Sequence, residues 1–177
     1  MSIQLILGGA RSGKSSRAEA EVRQLSQGGT KHYVATALAF DREMEARIEK
    51  HRQSRGLDWT EHECPRHLAE TIAQFGPQDV VLIDCLTLWL NNVIYNQGQT
   101  LDELEIEAEV VRLVEALAAS QASIVLVSNE VGLGVVPLGE VSRLFVDHAG
   151  WMNQAVARIA DKVTLVSAGL PLVLKGG

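Results

Sequence analysis

The chain has two cysteines in 177 residues, too few for a disulfide framework, and Cys64 and Cys85 lack the Cys-x-x-Cys spacing of a redox or metal motif. A reduced, cytosolic setting follows. Basic residues are also in short supply, 16 against 22 acidic, and the net charge of −6 leaves no basic stripe for a nucleic-acid partner. A nucleotide ligand stays possible, because a few backbone amides and one lysine hold a triphosphate locally. No window approaches the roughly 18 unbroken apolar residues of a membrane-spanning helix. The apolar stretch Ile3–Leu7 is interrupted by Gln4 and runs into a glycine-rich loop, so a secretion-type hydrophobic region is missing. No linker, internal repeat or low-complexity tract divides the chain. The expectation is a cytoplasmic protein of one domain, 1–177, with no nucleic-acid partner and no membrane segment.

What is present alternates. The short apolar runs Ile3–Leu7, His32–Thr36, Val80–Asp84, Ser123–Val127 and Val163–Val166 read as strands. Most lack period-two polarity, which suits strands buried on both faces of a parallel sheet. Leu172–Leu174 adds a short edge strand after the turn at Gly169–Pro171. Helical periodicity fills the gaps at Ser15–Gln27, Asp41–Arg55, Arg66–Phe75, Leu86–Asn96, Leu101–Ala119 and Ser142–Ala160. In Leu101–Ala119 the inward residues are expected to be Leu104, Ala108, Val111 and Leu117. Asn96–Thr100 reads as a plain loop. Strands alternating with helices predict a layered α/β fold with a mostly parallel sheet.

The segment Gly8-Gly9-Ala10-Arg11-Ser12-Gly13-Lys14-Ser15 fits G-x-x-x-x-G-K-[ST], between a predicted strand and a predicted helix. Glycines let backbone N–H groups converge on phosphate oxygens, and the helix N-terminus adds partial positive charge. Lys14 is placed to meet the β- and γ-phosphates, and the Ser15 hydroxyl to ligate Mg²⁺. The apolar run Val80–Ile83 ends in Asp84, either a carboxylate directed toward Mg²⁺ or a cap on the helix that follows. The sequence lacks both the guanine and the Mg²⁺ motifs of the usual GTPase switch, which weakens that reading. Asp84 is followed by Cys85-Leu86-Thr87 in place of x-x-Gly, and the corresponding later strand ends in Ser128-Asn129-Glu130-Val131. Asn129 and Glu130 stand where an α/β sheet binds ligands, with substrate contact and loop ordering both open.

Asp41–Arg55 is the unusual element. Met44, Ile48 and His51 fall at i, i+4 and i+7, while Arg47, His51 and Arg55 fall at i, i+4 and i+8. Flanking Lys50 and Arg52 disfavour the imidazolium form, biasing His51 toward a neutral nucleophile. The rival is a surface helix whose arginines pair with Glu43, Glu45 and Glu49. The spacing His62-x-Cys64-x-x-His67 offers three metal donors without a fourth, and structural zinc sites use four.

Together, LILGGARSGKS, YVATA, MEARIEKHRQSR, DWTEHEC, LIDCLTLWLNN, VLVSNEVGLGVVP and RLFVDHAGWMNQ resemble the bifunctional adenosylcobinamide kinase/adenosylcobinamide-phosphate guanylyltransferase family of cobalamin biosynthesis. The resemblance covers nearly the whole chain. It implies a RecA-like P-loop fold, a homotrimer, ATP and GTP as substrates with Mg²⁺, and adenosylcobinamide and its phosphate as partners. It implies that the aminopropanol hydroxyl is phosphorylated first and that GMP then travels from GTP through a histidine, which aligns with His51. Lys50 stands where some relatives carry a second histidine. By the same resemblance, Gly8–Ser15, Ala35, Thr36, Ala37, Arg52, Gln53, Ser54, Arg55, Glu63 and Asp84 form the GTP site, with Lys14 and His51 catalytic. Asp147, Gly150 and Asn153 share one helical face, a subunit contact or a close helix crossing. Trp89 and Trp151 are candidates for an interface, with core burial the rival. Two readings stay open beside this one: a single-activity P-loop kinase, and a nucleotide-dependent corrinoid-binding protein without turnover.

Overall fold

A computed structural model of the chain describes residues 1–38, 49, 53, 55–96 and 98–177. Among them, seven strands form one sheet in the order β3-β2-β4-β7-β1-β8-β9. The strands are β1 (Ile3–Gly8), β2 (Thr30–Ala35), β3 (Trp59–Glu63), β4 (Asp79–Asp84), β7 (Ser123–Asn129), β8 (Lys162–Ser167) and β9 (Leu170–Lys175). All neighbours run parallel except β8 and β9, which form an antiparallel pair.

The unbroken apolar runs are explained by burial on both faces. In β1, Leu5 and Leu7 enter one core layer while Ile6 enters the other. Val81 and Ile83 of β4 are separated from Val80 and Leu82 in the same way, as are Ile124 and Leu126 of β7 from Val125 and Val127. Helix α1 (Lys14–Ser26) covers the second layer with Ala18 and Val22. On the other face lie α2 (Leu68–Ile72), α3 (Leu86–Ile94), α4 (Glu103–Ala119) and α5 (Glu140–Ile159). No described helix is long and apolar enough to cross a membrane.

Three sequence readings are corrected here. Trp59–Glu63 is a strand that the apolar-run criterion passed over, because Thr60, Glu61, His62 and Glu63 are polar. As the edge it pairs only with β2, so burial on both faces is not required of it. The stretch expected as a loop at Asn96–Thr100 contains a small antiparallel hairpin, β5 (Tyr95–Asn96) with β6 (Gln99–Thr100). In α4 the inward stripe is Ile106, Val110, Leu113 and Leu117, at i, i+4, i+7 and i+11. Leu104 and Val111 are 76% and 54% exposed and Ala108 is exposed too, so of the expected set only Leu117 faces the core. Two apolar stripes share this helix, and only packing decides which one is buried.

The helix expected over Asp41–Arg55 falls mostly outside the described residues. Glu49, Gln53 and Arg55 are described and helical, and the Gln53 amide donates to Glu49 Oε1 at 2.9 Å.

Candidate functional site

The loop joining β1 to α1 carries the G-x-x-x-x-G-K-[ST] residues at the C-terminal edge of the sheet, the edge where parallel α/β sheets bind ligands. Its turn closes through Ser12 N–H on Gly9 O at 3.3 Å, with Arg11 in the left-handed region at φ 54°. Gly8 is needed because a Cβ there would sit 2.7 Å from Val166 O and collide with Ser12. Gly13, at φ 95°, occupies the N-cap position of α1, and no side chain caps the helix. Its first turn also holds no acidic residue. The first-turn amides therefore have no side-chain acceptor and face outward with the partial positive charge of the helix end. Lys14 Nζ donates to Gly9 O at 3.1 Å, which folds its ammonium over the loop.

Two neighbours brace this loop. Glu130 N–H donates to Gly8 O at 3.1 Å, and Gly169 N–H donates to Ser12 O at 2.8 Å. Ala168 and Gly169, with φ of 51° and 75°, make the β8–β9 turn, so a segment read in sequence as a simple turn supports the phosphate loop. Nothing local in Ser167-Ala168-Gly169 announces that role. It follows from β8 lying beside β1.

Asp84 ends β4, separated from β1 by β7. The N-cap residue of α3 is Cys85 and no side chain caps that helix, so Asp84 does not serve as its cap. Its carboxylate instead accepts the Tyr33 hydroxyl at 3.3 Å. Burial, then the charge of Asp84, pushes the Tyr33 phenol above its ordinary pKa, which keeps it a proton donor. Sequence reasoning missed Tyr33 because it lies inside a strand, and only the β2–β4 pairing brings it to Asp84. Ser15 and Asp84 together offer hydroxyl and carboxylate oxygens, the donor chemistry of a hard divalent cation.

Of the other expected nucleotide contacts, Ala35 and Ala37 lie at the end of β2 and just beyond it. Thr36 between them is fully buried. Its hydroxyl donates to Cys85 O at 2.7 Å and accepts from Cys85 N–H at 2.8 Å, and its N–H donates to Asp84 O at 3.2 Å. Thr36 thus holds the Asp84–Cys85 turn. Glu63 is exposed at the end of β3, opposite Ala35 in register. Arg55 is 4% exposed, stacks its guanidinium 3.5 Å from the Tyr33 ring centre and donates to Glu61 Oε1 at 2.7 Å. His51, Arg52 and Ser54 lie outside the described residues.

The histidine–cysteine spacing is resolved by its neighbours. His62 Nε2 meets His32 Nδ1 at 3.0 Å, and burial followed by His32 lowers the His62 pKa. The Cys64 thiol, raised in pKa chiefly by burial, lies 3.2 Å from Thr71 Oγ1. His67 takes the N-cap position of α2. No group of three or more potential metal-ligating residues converges among the described residues. Trp89 is buried with its indole N–H on Arg66 O at 2.7 Å, whereas Trp151 is 52% exposed. Asn153 is likewise turned inward, accepting from Ser128 Oγ at 2.6 Å, while Asp147 on the same helix stays exposed.

Residues 4–174 match the family described as cobinamide kinase / cobinamide phosphate guanyltransferase. The chain belongs to this family. It is 47% identical over 174 residues to the bifunctional adenosylcobalamin biosynthesis protein CobP of Pseudomonas aeruginosa, covering 97% of this chain and 96% of that protein. The bifunctional adenosylcobalamin biosynthesis protein CobU of Escherichia coli is 41% identical over 181 residues, covering 97% and 98%. Among solved structures, flagellar accessory protein FlaH from Methanocaldococcus jannaschii superposes with a TM-score of 0.52 at 16% identity, over 98% of this chain and 78% of that one. That likeness is one of fold, the RecA-like P-loop arrangement.

Proposed function

We propose that this cobinamide kinase/guanyltransferase family member catalyses both steps on one chain, first phosphorylating adenosylcobinamide from ATP or GTP and then passing GMP to the new phosphate through His51. The observation that carries the reading is the uncapped start of α1, with Lys14 folded over the loop beneath it. In the first step the aminopropanol oxygen attacks the γ-phosphorus and loses its proton, and a nucleoside diphosphate leaves. Lys14 and the loop amides stabilise the charge on the transferred group and on the leaving phosphates. Ser15 and Asp84 fit Mg²⁺ by donor chemistry, and the ion when bound neutralises charge on the β- and γ-phosphates.

In the second step the neutral His51 imidazole attacks the α-phosphorus of GTP and pyrophosphate leaves. A phosphate oxygen of adenosylcobinamide phosphate then displaces the imidazole, giving adenosylcobinamide-GDP. The support is the basic setting of Lys50 and Arg52 in the sequence, together with the family match. GTP labelled on its α-phosphate is expected to tag the protein through an acid-labile, base-stable bond, while γ-label leaves no such adduct. His51→Ala loses the tag and guanylyl transfer but keeps phosphorylation of adenosylcobinamide, read by mass spectrometry. A tag that survives in His51→Ala and disappears in Lys50→Ala sinks the assignment. A wild type that stops at the phosphate is a kinase alone, and one that yields neither product is a binding protein.

A further inference from the structure

The turn after Asp84 is gripped from both sides. Thr36, just past the end of β2, holds the Cys85 peptide on one flank. On the other flank Thr87, in the first turn of α3, reaches the tip of β7. Its Oγ1 accepts from Asn129 N–H at 2.8 Å and from Asn129 Nδ2 at 3.0 Å. The Thr87 hydroxyl proton points to Cys85 Sγ at 3.6 Å. Two accepted bonds and one donated bond saturate the hydroxyl, and Thr87 is only 3% exposed.

Asn129 is itself fixed on the phosphate-loop side. It stands opposite Gly8 in the β1–β7 register, and the next residue, Glu130, donates its N–H to Gly8 O at 3.1 Å. Asn153 Nδ2 supports Asn129 O at 3.4 Å. The β4–β7 register places Asp84 opposite Val127, so β7 extends two residues past the Asp84 strand. Asn129 therefore overhangs the turn, and its side chain bridges the gap left by the shorter strand. Hydrogen bonds from the Asp84 turn to Thr87 and Asn129, the peptide link to Glu130, and the Glu130 N–H on Gly8 O together connect that turn to the phosphate loop.

We propose that Thr87 and Asn129 are positioning residues that hold the Asp84 carboxylate at its working distance from the phosphate loop. This rests on reading Asp84 as the carboxylate toward Mg²⁺. Neither residue needs to touch substrate. A purely structural role for these two residues would not depend on what Asp84 does.

A double-mutant cycle separates the two roles. Thr87→Val keeps the shape and removes the hydroxyl, and Thr87→Ser restores it. Binding of a non-hydrolysable GTP analogue is measured by calorimetry with and without Mg²⁺, beside kcat for adenosylcobinamide phosphorylation. Thr87→Val is expected to weaken the Mg²⁺-dependent affinity and kcat by about tenfold and to leave metal-free affinity within about twofold. Thr87→Ser is expected to recover to within about twofold, and Thr87→Val made in Asp84→Asn to add less than about twofold. If Thr87→Val fails to fold, Asn129→Ala removes the side-chain arm of the same bridge and is read in the same cycle. Equal loss of metal-free and Mg²⁺-dependent binding, or losses that multiply in the Asp84→Asn background, overturns the inference. A wild type that binds nucleotide without regard to Mg²⁺ overturns the Asp84 reading and the inference with it. An intact wild-type Mg²⁺ response left unmoved by Thr87→Val overturns the inference alone.

Discussion

Helices α1 and α4 begin in opposite ways. α4 opens with a complete capping box: Glu105 N–H donates to Asp102 Oδ1 at 2.8 Å, and Asp102 N–H donates to Glu105 Oε2 at 3.1 Å. Glu103 and Glu105 add negative charge in the first turn, where it meets the positive end of the helix. α1 has none of this. Gly13 sits at its N-cap in a left-handed conformation, no side chain caps it, and Lys14 brings positive charge to an end that already carries some. By helix-stability rules α1 is badly started, and α4 is well started. The difference teaches what each end serves. α4 satisfies its own amides and is exposed there, whereas α1 keeps its amides for an anionic ligand supplied from outside.

The largest break in that comparison is expected from Lys14→Ala. Removing the ammonium that folds over the loop should cut phosphoryl transfer by about a thousandfold, judged against removal of comparable charge-stabilising donors. Steady-state kinetics check it, with circular dichroism to confirm folding. Near-normal turnover would mean that the bare helix end is not the phosphate site.

Gly13→Ala is the intermediate case. Its φ of 95° and a Cβ placed 3.3 Å from Gly169 Cα both oppose a side chain. The left-handed conformation costs about 1–2 kcal/mol for an L-residue. We expect a Tm lower by roughly 3–6 °C, together with weaker nucleotide binding, because the strained residue introduces the first-turn amides. A variant that loses stability but binds nucleotide as before would show that the loop's conformation and its ligand are uncoupled.

Asp102→Ala is the smallest. Loss of the cap should cost about 1 kcal/mol and leave kcat within about twofold. Thermal denaturation and turnover measured side by side test it. A large fall in turnover would deny that the α4 start is only a matter of stability.

Much of this was legible because it is local. The phosphate loop is contiguous from Gly8 to Ser15, and its glycines and lysine announce the conformation they permit. Central strands were readable because burial on both faces leaves them apolar throughout, as in Val80–Ile83. The edge strand Trp59–Glu63 was not, since a strand with one partner tolerates polar residues and loses the signal. In α4, two overlapping apolar stripes gave the sequence two possible inward faces. The Asp84 reading had a rival in helix capping, and the absence of any side-chain cap on α3 removes that rival for the described turn.

The chain's order of residues by itself determined the alternation of strands and helices, the phosphate loop and the family. These rest on short-range periodicity, on glycine's backbone freedom and on a motif that needs no distant partner. Tertiary structure alone decided that Tyr33 meets Asp84, that Thr36 holds the Cys85 peptide, that Gly169 braces Ser12, and that Thr87 bridges to Asn129. Each of these pairs lies on segments distant in sequence or separated by a strand, and none carries a pattern of its own. They become neighbours only through strand order and register, which long-range pairing of the whole sheet sets and no local window contains.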